Sequence, residues 1–419
     1  MGVHSRLLVA AAVVVGCYAS GPPVAAVGVP KPTFNYSWTR ISTYAFPGSL
    51  TNRNFSDAEV AHYSRFTLLL YWGVDLEPEP AHGAHWFVPD QEAKSLAQAA
   101  KFKAANPDVL LFPYITGFLA QNSFKAQAEF SDPEHEAWWL RDPVSGAPLG
   151  CNSSCGFCVN HTFAPGQGAC FGWTQGFPGK LYDWRIPAVR SYWTHQVIAP
   201  YVDSPLIAGI FMDDTTDVAA WCLEPPHGHI CSGNWTFTKA EQLDFLNATL
   251  EHLEEAFASM DARGKTAIVS SKARQHTEPL NSSTFDALLR RHGSVHFIES
   301  FSGTETDVQT ALKITADGTP FMVHSTQPDD RIAAFSHREY CLAAFLIVAS
   351  NYSYWGMGAG WGAGDFPWYP ELDRPLGKPL ADATQYGNGR YFRAFEHLNV
   401  SLDTNLTQAS ILSAPSRGG

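Results

Sequence analysis

Two short stretches carry the residues best suited to chemistry. In Gly209-Ile210-Phe211-Met212-Asp213-Asp214-Thr215-Thr216-Asp217 an apolar run stops at two adjacent carboxylates. In Val295-His296-Phe297-Ile298-Glu299 a second apolar run stops at one. Each run has the length and character of a buried parallel strand that opens into polar residues at its C-terminal end. Acids in such positions can also cap a helix or open a turn. Two carboxyl groups held across a shared cavity could instead divide acid–base work, one attacking or activating water and the other protonating a leaving oxygen. Phe297 and Ile298 give Glu299 an apolar approach, which favours a protonated acid near neutral pH. Successive strand side chains alternate, so Asp213 and Asp214 cannot both point the same way. Asp213 is the preferred nucleophile, with Asp214 as a hydroxyl ligand or a group at the helix start.

The segments around these stretches alternate between strand and helix patterns. Strands are expected at Ile41–Phe46, Phe66–Tyr71, Val109–Tyr114, Ile207–Met212, Thr266–Ser270, Val295–Ile298, Phe321–His324 and Tyr352–Trp355. Between them lie helix patterns at Asp57–Tyr63 (capped by Ser56 or Asp57), Asp90–Asn106, Pro187–Ala199, Thr238–Met260, Ser283–His292, Asp307–Ala316 and Ser336–Ala349. Thr238, with Glu241 three residues on, reads as a capping box. The tail carries a helix-like piece over Gly389–Glu396 and a strand-like end over Val400–Ile411. Eight such units imply a closed parallel (β/α)8 barrel spanning residues 38–412. A long irregular excursion over residues 117–183 reads as an insertion over the barrel mouth after the third strand.

In such a barrel the strand ends meet at one mouth. Besides Asp213, Asp214 and Glu299, they supply Tyr44, Tyr71, Trp72, Tyr114, Ser271, Lys272, His324, Tyr354 and Trp355 as candidate substrate-binding residues. Lys272 could alternatively pair with Glu299, and a strand-end histidine such as His324 is often structural. Trp72, Trp355 and Trp361 are candidate stacking platforms, although tryptophans more commonly serve packing. The Asp213–Asp217 run with His227 and His229 lacks the glycine turn of a calcium loop. Neither a metal nor another cofactor is expected.

The whole chain bounds the function further. It has 419 residues, 45% hydrophobic and only 16% charged, enough for one large core. A net charge of −12 argues against nucleic acid or an anionic membrane as partner. Residues 1–26 read as a secretory signal: Arg6 starts it, Leu7–Val15 is the apolar centre, and small residues up to Ala26 follow. No later run is long and apolar enough for a span. Sequons at Asn35, Asn54, Asn152, Asn160, Asn234, Asn247, Asn281, Asn351, Asn399 and Asn405 suit an exported glycoprotein. Cys151, Cys155, Cys158 and Cys170 cluster within the insertion, and Cys222 and Cys231 flank another loop. Both groups read as local disulfides, with a zinc site as the alternative for the first. Cys341, in an apolar helix pattern, reads as a buried free thiol.

Several motifs together resemble the glycoside-hydrolase-like (β/α)8 barrels, distantly similar to the α-galactosidase clan and the polygalactosaminidase-type barrels. They are Gly-Ile-Phe-Met-Asp-Asp (209–214), Phe-Ile-Glu-Ser (297–300), Asn-Tyr-Ser-Tyr-Trp-Gly (351–356), Tyr-Pro-Glu-Leu with Leu-Gly-Lys-Pro (369–379), and Arg-Tyr-Phe-Arg with Asn-Val-Ser-Leu (390–402). The resemblance implies Asp213 as nucleophile and Glu299 as acid/base. In the α-galactosidase clan an Asp follows the sixth strand, whereas here it is a Glu. The expectation is a secreted hydrolase of glycosidic bonds in an oligo- or polysaccharide. The alternative is a carbohydrate-binding barrel without turnover, which would keep the aromatic mouth but need no paired acids.

Overall fold

The computed structural model describes residues 36–47, 55–71, 76–78, 85–87, 91–117, 126, 133–141, 146, 150–151, 179–213, 215, 238–270, 282–316, 318–326, 331–358 and 366–414. Eight strands form one sheet in chain order: β1 (Tyr44–Ala45), β2 (Leu68–Tyr71), β3 (Leu110–Thr116), β4 (Gly209–Asp213), β5 (Thr266–Ser270), β6 (Val295–Ile298), β7 (Phe321–Thr326) and β8 (Ser353–Gly358). Neighbouring strands are parallel throughout. The sheet closes on itself where Thr43 bridges Trp355 in parallel and the Trp355 N–H donates to Ser42 O at 3.0 Å. This is the (β/α)8 barrel the alternating pattern predicts.

The helices are α1 (Asp57–Tyr63), α2 (Gln91–Ala105), α3 (Pro187–Tyr192), α4 (Ala199–Val202), α5 (Lys239–Asp261), α6 (Ser282–Arg291), α7 (Glu305–Ala316) and α8 (Arg331–Val348). Local sequence fixes their starts. Ser56 with Glu59, and Thr238 with Glu241, form complete capping boxes that satisfy N-terminal amides of α1 and α5. The expected single helix over 187–199 is broken by a π turn at Trp193–Val197 before α4. Pro200 lies just beyond and lacks an N–H to continue the α ladder, and the Ile198 N–H reaches back to Trp193 O. Two short antiparallel pairs, Leu76–Pro78 with His85–Phe87 and Gly150–Cys151 with Gly179–Lys180, lie outside the barrel sheet.

The tail departs from expectation. Residues 389–396 are not helical. They belong to a four-stranded antiparallel sheet of β9 (Thr384–Gly387), β10 (Arg390–Ala394), β11 (Leu398–Asp403) and β12 (Gln408–Ser413). The period is two: Tyr391 and Arg393 are buried, while Arg390 and Phe392 are exposed. Asn388-Gly389 makes the tight turn between β9 and β10, with Gly389 at φ +67°. The sheet packs on α8 through Tyr391, Leu398, Val400, Leu402 and Ile411. Buried Arg393 donates to the carbonyls of Leu346, Ile347 and Ala349, closing the C-terminal end of α8. Glu305 at the start of α7 accepts hydrogen bonds from the hydroxyls of Tyr391 and Thr404.

Cys341 is a buried free thiol in α8, as the sequence suggests. Disulfides are expected among Cys151, Cys155, Cys158 and Cys170 and between Cys222 and Cys231; all of these but the backbone of Cys151 lie outside the described residues, as does most of the 117–183 insertion. No described helix is long and apolar enough to cross a membrane.

Candidate active site

Ring contacts across the barrel show which side chains point inward. Tyr44 on β1 meets Phe297 on β6 with centroids 5.8 Å apart, although four strands separate β1 from β6 along the sheet in one direction and two in the other. Phe211 on β4 meets Phe297 at 5.4 Å and Tyr114 on β3 at 5.5 Å, and Phe46 meets both Tyr114 and Phe211. Tyr114, Phe211 and Phe297 fill one interior layer, with Tyr44 and Phe46 packed against it.

Strand side chains alternate, so the residues two positions beyond each ring also face the lumen, one layer nearer the C-terminal mouth. That layer holds Thr116 (beyond Tyr114), Asp213 (beyond Phe211) and Glu299 (beyond Phe297). Register adds two more. Ile268 pairs with Phe211, so Ser270 faces inward from β5. Met322 pairs with Phe297, so His324 faces inward from β7. Asp213 and Glu299 are half-buried, while Thr116, Ser270 and His324 are buried.

β4 and β6 are separated only by β5. Two inter-strand steps put their backbones roughly 9–10 Å apart, a spacing from which inward carboxylates can face one another over a small ligand. Ser270 stands between them and its Oγ donates to Glu299 Oε1 at 2.8 Å. That bond holds the carboxylate over β5 and favours its ionised form.

The backbone around Asp213 is fixed. Gly117 N–H donates to Asp213 O at 2.8 Å. A Cβ on Gly117 would lie 2.9 Å from Thr215 Cγ2 and 3.2 Å from Asp213 O, so only glycine fits this close approach without a shift. Thr215 in turn donates its hydroxyl to Met212 O and Ser270 O, tying the end of β4 to that of β5.

Tyr44 occupies the middle of the lumen. Its ring lies against Phe297 and Phe366, and against Gly356, where a Cβ would meet Tyr44 Cε1 at 2.5 Å. Gly356 pairs with His324, so Tyr44 reaches the level of the polar layer. Its buried hydroxyl has no hydrogen-bond partner among the described residues. Burial, and then the nearby Glu299 charge, push its pKa well above the ordinary tyrosine value. His324, against Phe366, is held neutral: burial pulls it from 6.5 down to about 3.

Some expected mouth residues lie elsewhere. Tyr71 and Trp355 have the opposite strand parity and face outward. The Tyr71 hydroxyl donates to Ser95 O in α2 and its ring meets Phe102, while Trp355 packs in the core beneath α8. Tyr354 shares the inward parity but fills the barrel floor, where its ring meets Tyr36 from the segment before β1. Tyr114 is inward and half-buried, one layer below the acids. Trp72, Asp214, Ser271, Lys272, His227, His229 and Trp361 lie outside the described residues. Thr116 and Ser270 escaped the sequence reading, although counting by two from Tyr114 and Ile268 finds both. Among the described residues no cluster of three or more His, Cys, Asp or Glu could hold a metal ion.

The closed eight-strand barrel with an acidic, aromatic-floored mouth defines a barrel of the kind that hosts enzymes at its C-terminal face. The sequence matches the family described as hypothetical glycosyl hydrolase family 15 over residues 163–399, more than half the chain, and the protein belongs to that family. The matched region includes both Asp213 and Glu299. Family and barrel together make it a carbohydrate-active protein of the glycosidase type. Similar solved structures include sucrose 6F-phosphate phosphorylase from Thermoanaerobacter thermosaccharolyticum (9% identity, 92% of this chain and 97% of that chain, TM-score 0.49). An Anoxybacillus alpha-amylase aligns at 8% identity over 88% of this chain and 87% of that one, with a TM-score of 0.44. Cyclic alpha-maltosyl-(1→6)-maltose hydrolase from Arthrobacter globiformis aligns at 11% identity over 90% and 96%, also with a TM-score of 0.44. No curated protein sequence matches the chain.

Proposed function

We propose that the protein is an exported glycoside hydrolase acting on an oligo- or polysaccharide through Asp213 and Glu299. The observation that carries this reading is the shared inward parity of the two acids on strands separated only by β5. Glu299 gives its proton to the glycosidic oxygen as Asp213 Oδ bonds to the anomeric carbon and the glycosidic C–O bond breaks. Water then attacks the same carbon, Glu299 takes up the water proton, and the ester to Asp213 is released. This two-step course gives retention of configuration. It is the outcome that similarity to the α-galactosidase clan would imply, with Glu in place of that clan's Asp. Tyr114, His324 and Tyr44 line or underlie the bound sugar, and Lys272, Asp214 and Trp72 are proposed to complete the cup. Export rests on the N-terminal apolar segment and on the sequons.

A panel of chromogenic α- and β-glycosides tests the activity, and proton NMR of the first-formed product reads its anomeric configuration. Release of chromophore with retention supports the scheme. Release with inversion would replace Asp213 as nucleophile by Asp213 as base. Saturable sugar binding with no release on any substrate would favour a binding barrel.

A further inference from the structure

The outward face of the C-terminal sheet combines exposed apolar side chains with a sequon. Along β11 the alternation is strict: Leu398, Val400 and Leu402 are buried against α8, while Asn399, Ser401 and Asp403 face out. Register then sets three outward rows. Arg390, Asp403 and Gln408 form the first, Phe392, Ser401 and Ser410 the second, and Ala394, Asn399 and Leu412 the third. Phe392 is 41% exposed and Leu412 is 61% exposed. Leu412 lies directly opposite Asn399, and Phe392 is its diagonal neighbour, within reach of a large side chain or substituent.

Asn399 and Ser401 therefore present both functional positions of Asn399-Val400-Ser401 on the same accessible face. The neighbouring sequon is placed differently, since Asn405 Nδ2 donates to Asn388 O at 2.6 Å. A second site repeats the association. On α5, exposed Asn247 stands one helical turn from Leu243, which is 50% exposed. Large apolar side chains left in water on a regular surface favour self-association. A sugar covers them well, because its C–H face packs on rings and aliphatic groups while its hydroxyls stay hydrated.

We propose that Asn399 is an N-glycosylation site whose first sugars lie over Phe392 and Leu412, making the glycan the cover of the sheet's outer face. The inference rests on the export reading and is independent of whether the barrel mouth is catalytic. It commits to a covalently attached glycan of the chain itself as the occupant of this face.

The test uses the full chain, with its N-terminal segment, secreted from a eukaryotic cell line. Enzymatic glycan release in heavy-oxygen water marks each occupied asparagine as labelled Asp in peptide mapping. The expected result is label at Asn399 in most molecules. The variant Asn399→Gln should then self-associate and bind a hydrophobic dye more than wild type, and Phe392→Ser with Leu412→Ser should reverse both changes. An unlabelled Asn399 in secreted protein overturns the site. A labelled Asn399 whose loss changes neither association nor dye binding overturns the covering role. Retention of the whole chain in the cytosol, without label anywhere, overturns export and the site with it. None of these outcomes depends on the glycosidase assay.

Discussion

Ser270 Oγ donates to Glu299 Oε1 across 2.8 Å, from the strand that separates the two carboxylates of the barrel mouth. A hydroxyl donated to a carboxylate stabilises the ionised form, so Ser270 opposes the effect of burial on the Glu299 carboxyl. Ser270→Ala removes that donor and should therefore favour the protonated form of Glu299. If Glu299 is the proton donor, the alkaline limb of kcat/KM must move to higher pH while the fold is retained. A pH–rate profile checks this, and an unmoved alkaline limb would disconnect Glu299 from proton donation.

The contact between Gly356 and Tyr44 makes a paired prediction. Gly356→Ala places a methyl 2.5 Å from the Tyr44 ring and should destabilise the barrel by about 1–3 kcal/mol. In a Tyr44→Leu background most of that cost should vanish, because the colliding ring is gone. Tyr44→Phe, by contrast, should leave stability unchanged or raise it by about 1 kcal/mol, since it removes a buried hydroxyl with no partner. Denaturant unfolding of the four variants measures each term. Equal costs of Gly356→Ala in both backgrounds would contradict the contact.

Arg393 holds the C-terminal sheet to α8 by donating to three carbonyls at the helix end. Arg393→Ala leaves those carbonyls buried without a donor and should cost about 2–4 kcal/mol. Thermal unfolding should show a clearly lowered Tm. A Tm within about 1 °C of wild type would mean that water replaces the guanidinium without loss.

His252 sets an acid-sensitive term. Its ring stacks on Trp184 with centroids 3.7 Å apart, and among the described residues neither ring nitrogen has a hydrogen-bond partner. Burial, and then the Arg190 charge, lower its pKa from 6.5 to about 3. Between those values the unfolded chain binds a proton that the folded chain excludes. The full stability is thus present above pH 6.5 and falls by up to about 1.4 kcal/mol per pH unit toward pH 3. His324, lowered to the same value by burial, adds a second term of the same sign. His252→Leu removes one of the two, so its stability relative to wild type should rise steadily from pH 6 to pH 4. A constant difference across that range would show that His252 is protonated in the folded state.

Much of this arrangement can be read in the sequence, and the exceptions have physical causes. Strand–helix alternation gives the barrel, and the capping residues Ser56 and Thr238 mark helix starts to within a residue. Asp213 and Glu299 stand out because each ends an apolar run abruptly. The side-chain parity of the short strands is less visible. Leu68–Tyr71 is uniformly apolar, buried on both faces, so nothing in its pattern says that Tyr71 turns toward α2. Trp355 is hidden in the same way within β8. The tail was legible but overshadowed: aromatic and basic residues at 390–396 suggest a helix face, while Asn388-Gly389 and the period-two burial specify a hairpin.

The most direct test of the paired-acid account is the turnover of Asp213→Asn and Glu299→Gln on a hydrolysed glycoside, with unfolding curves recorded alongside. The account predicts that each variant folds with a Tm close to wild type and loses kcat on the order of 1,000-fold or more. Wild-type turnover in either folded variant would contradict it.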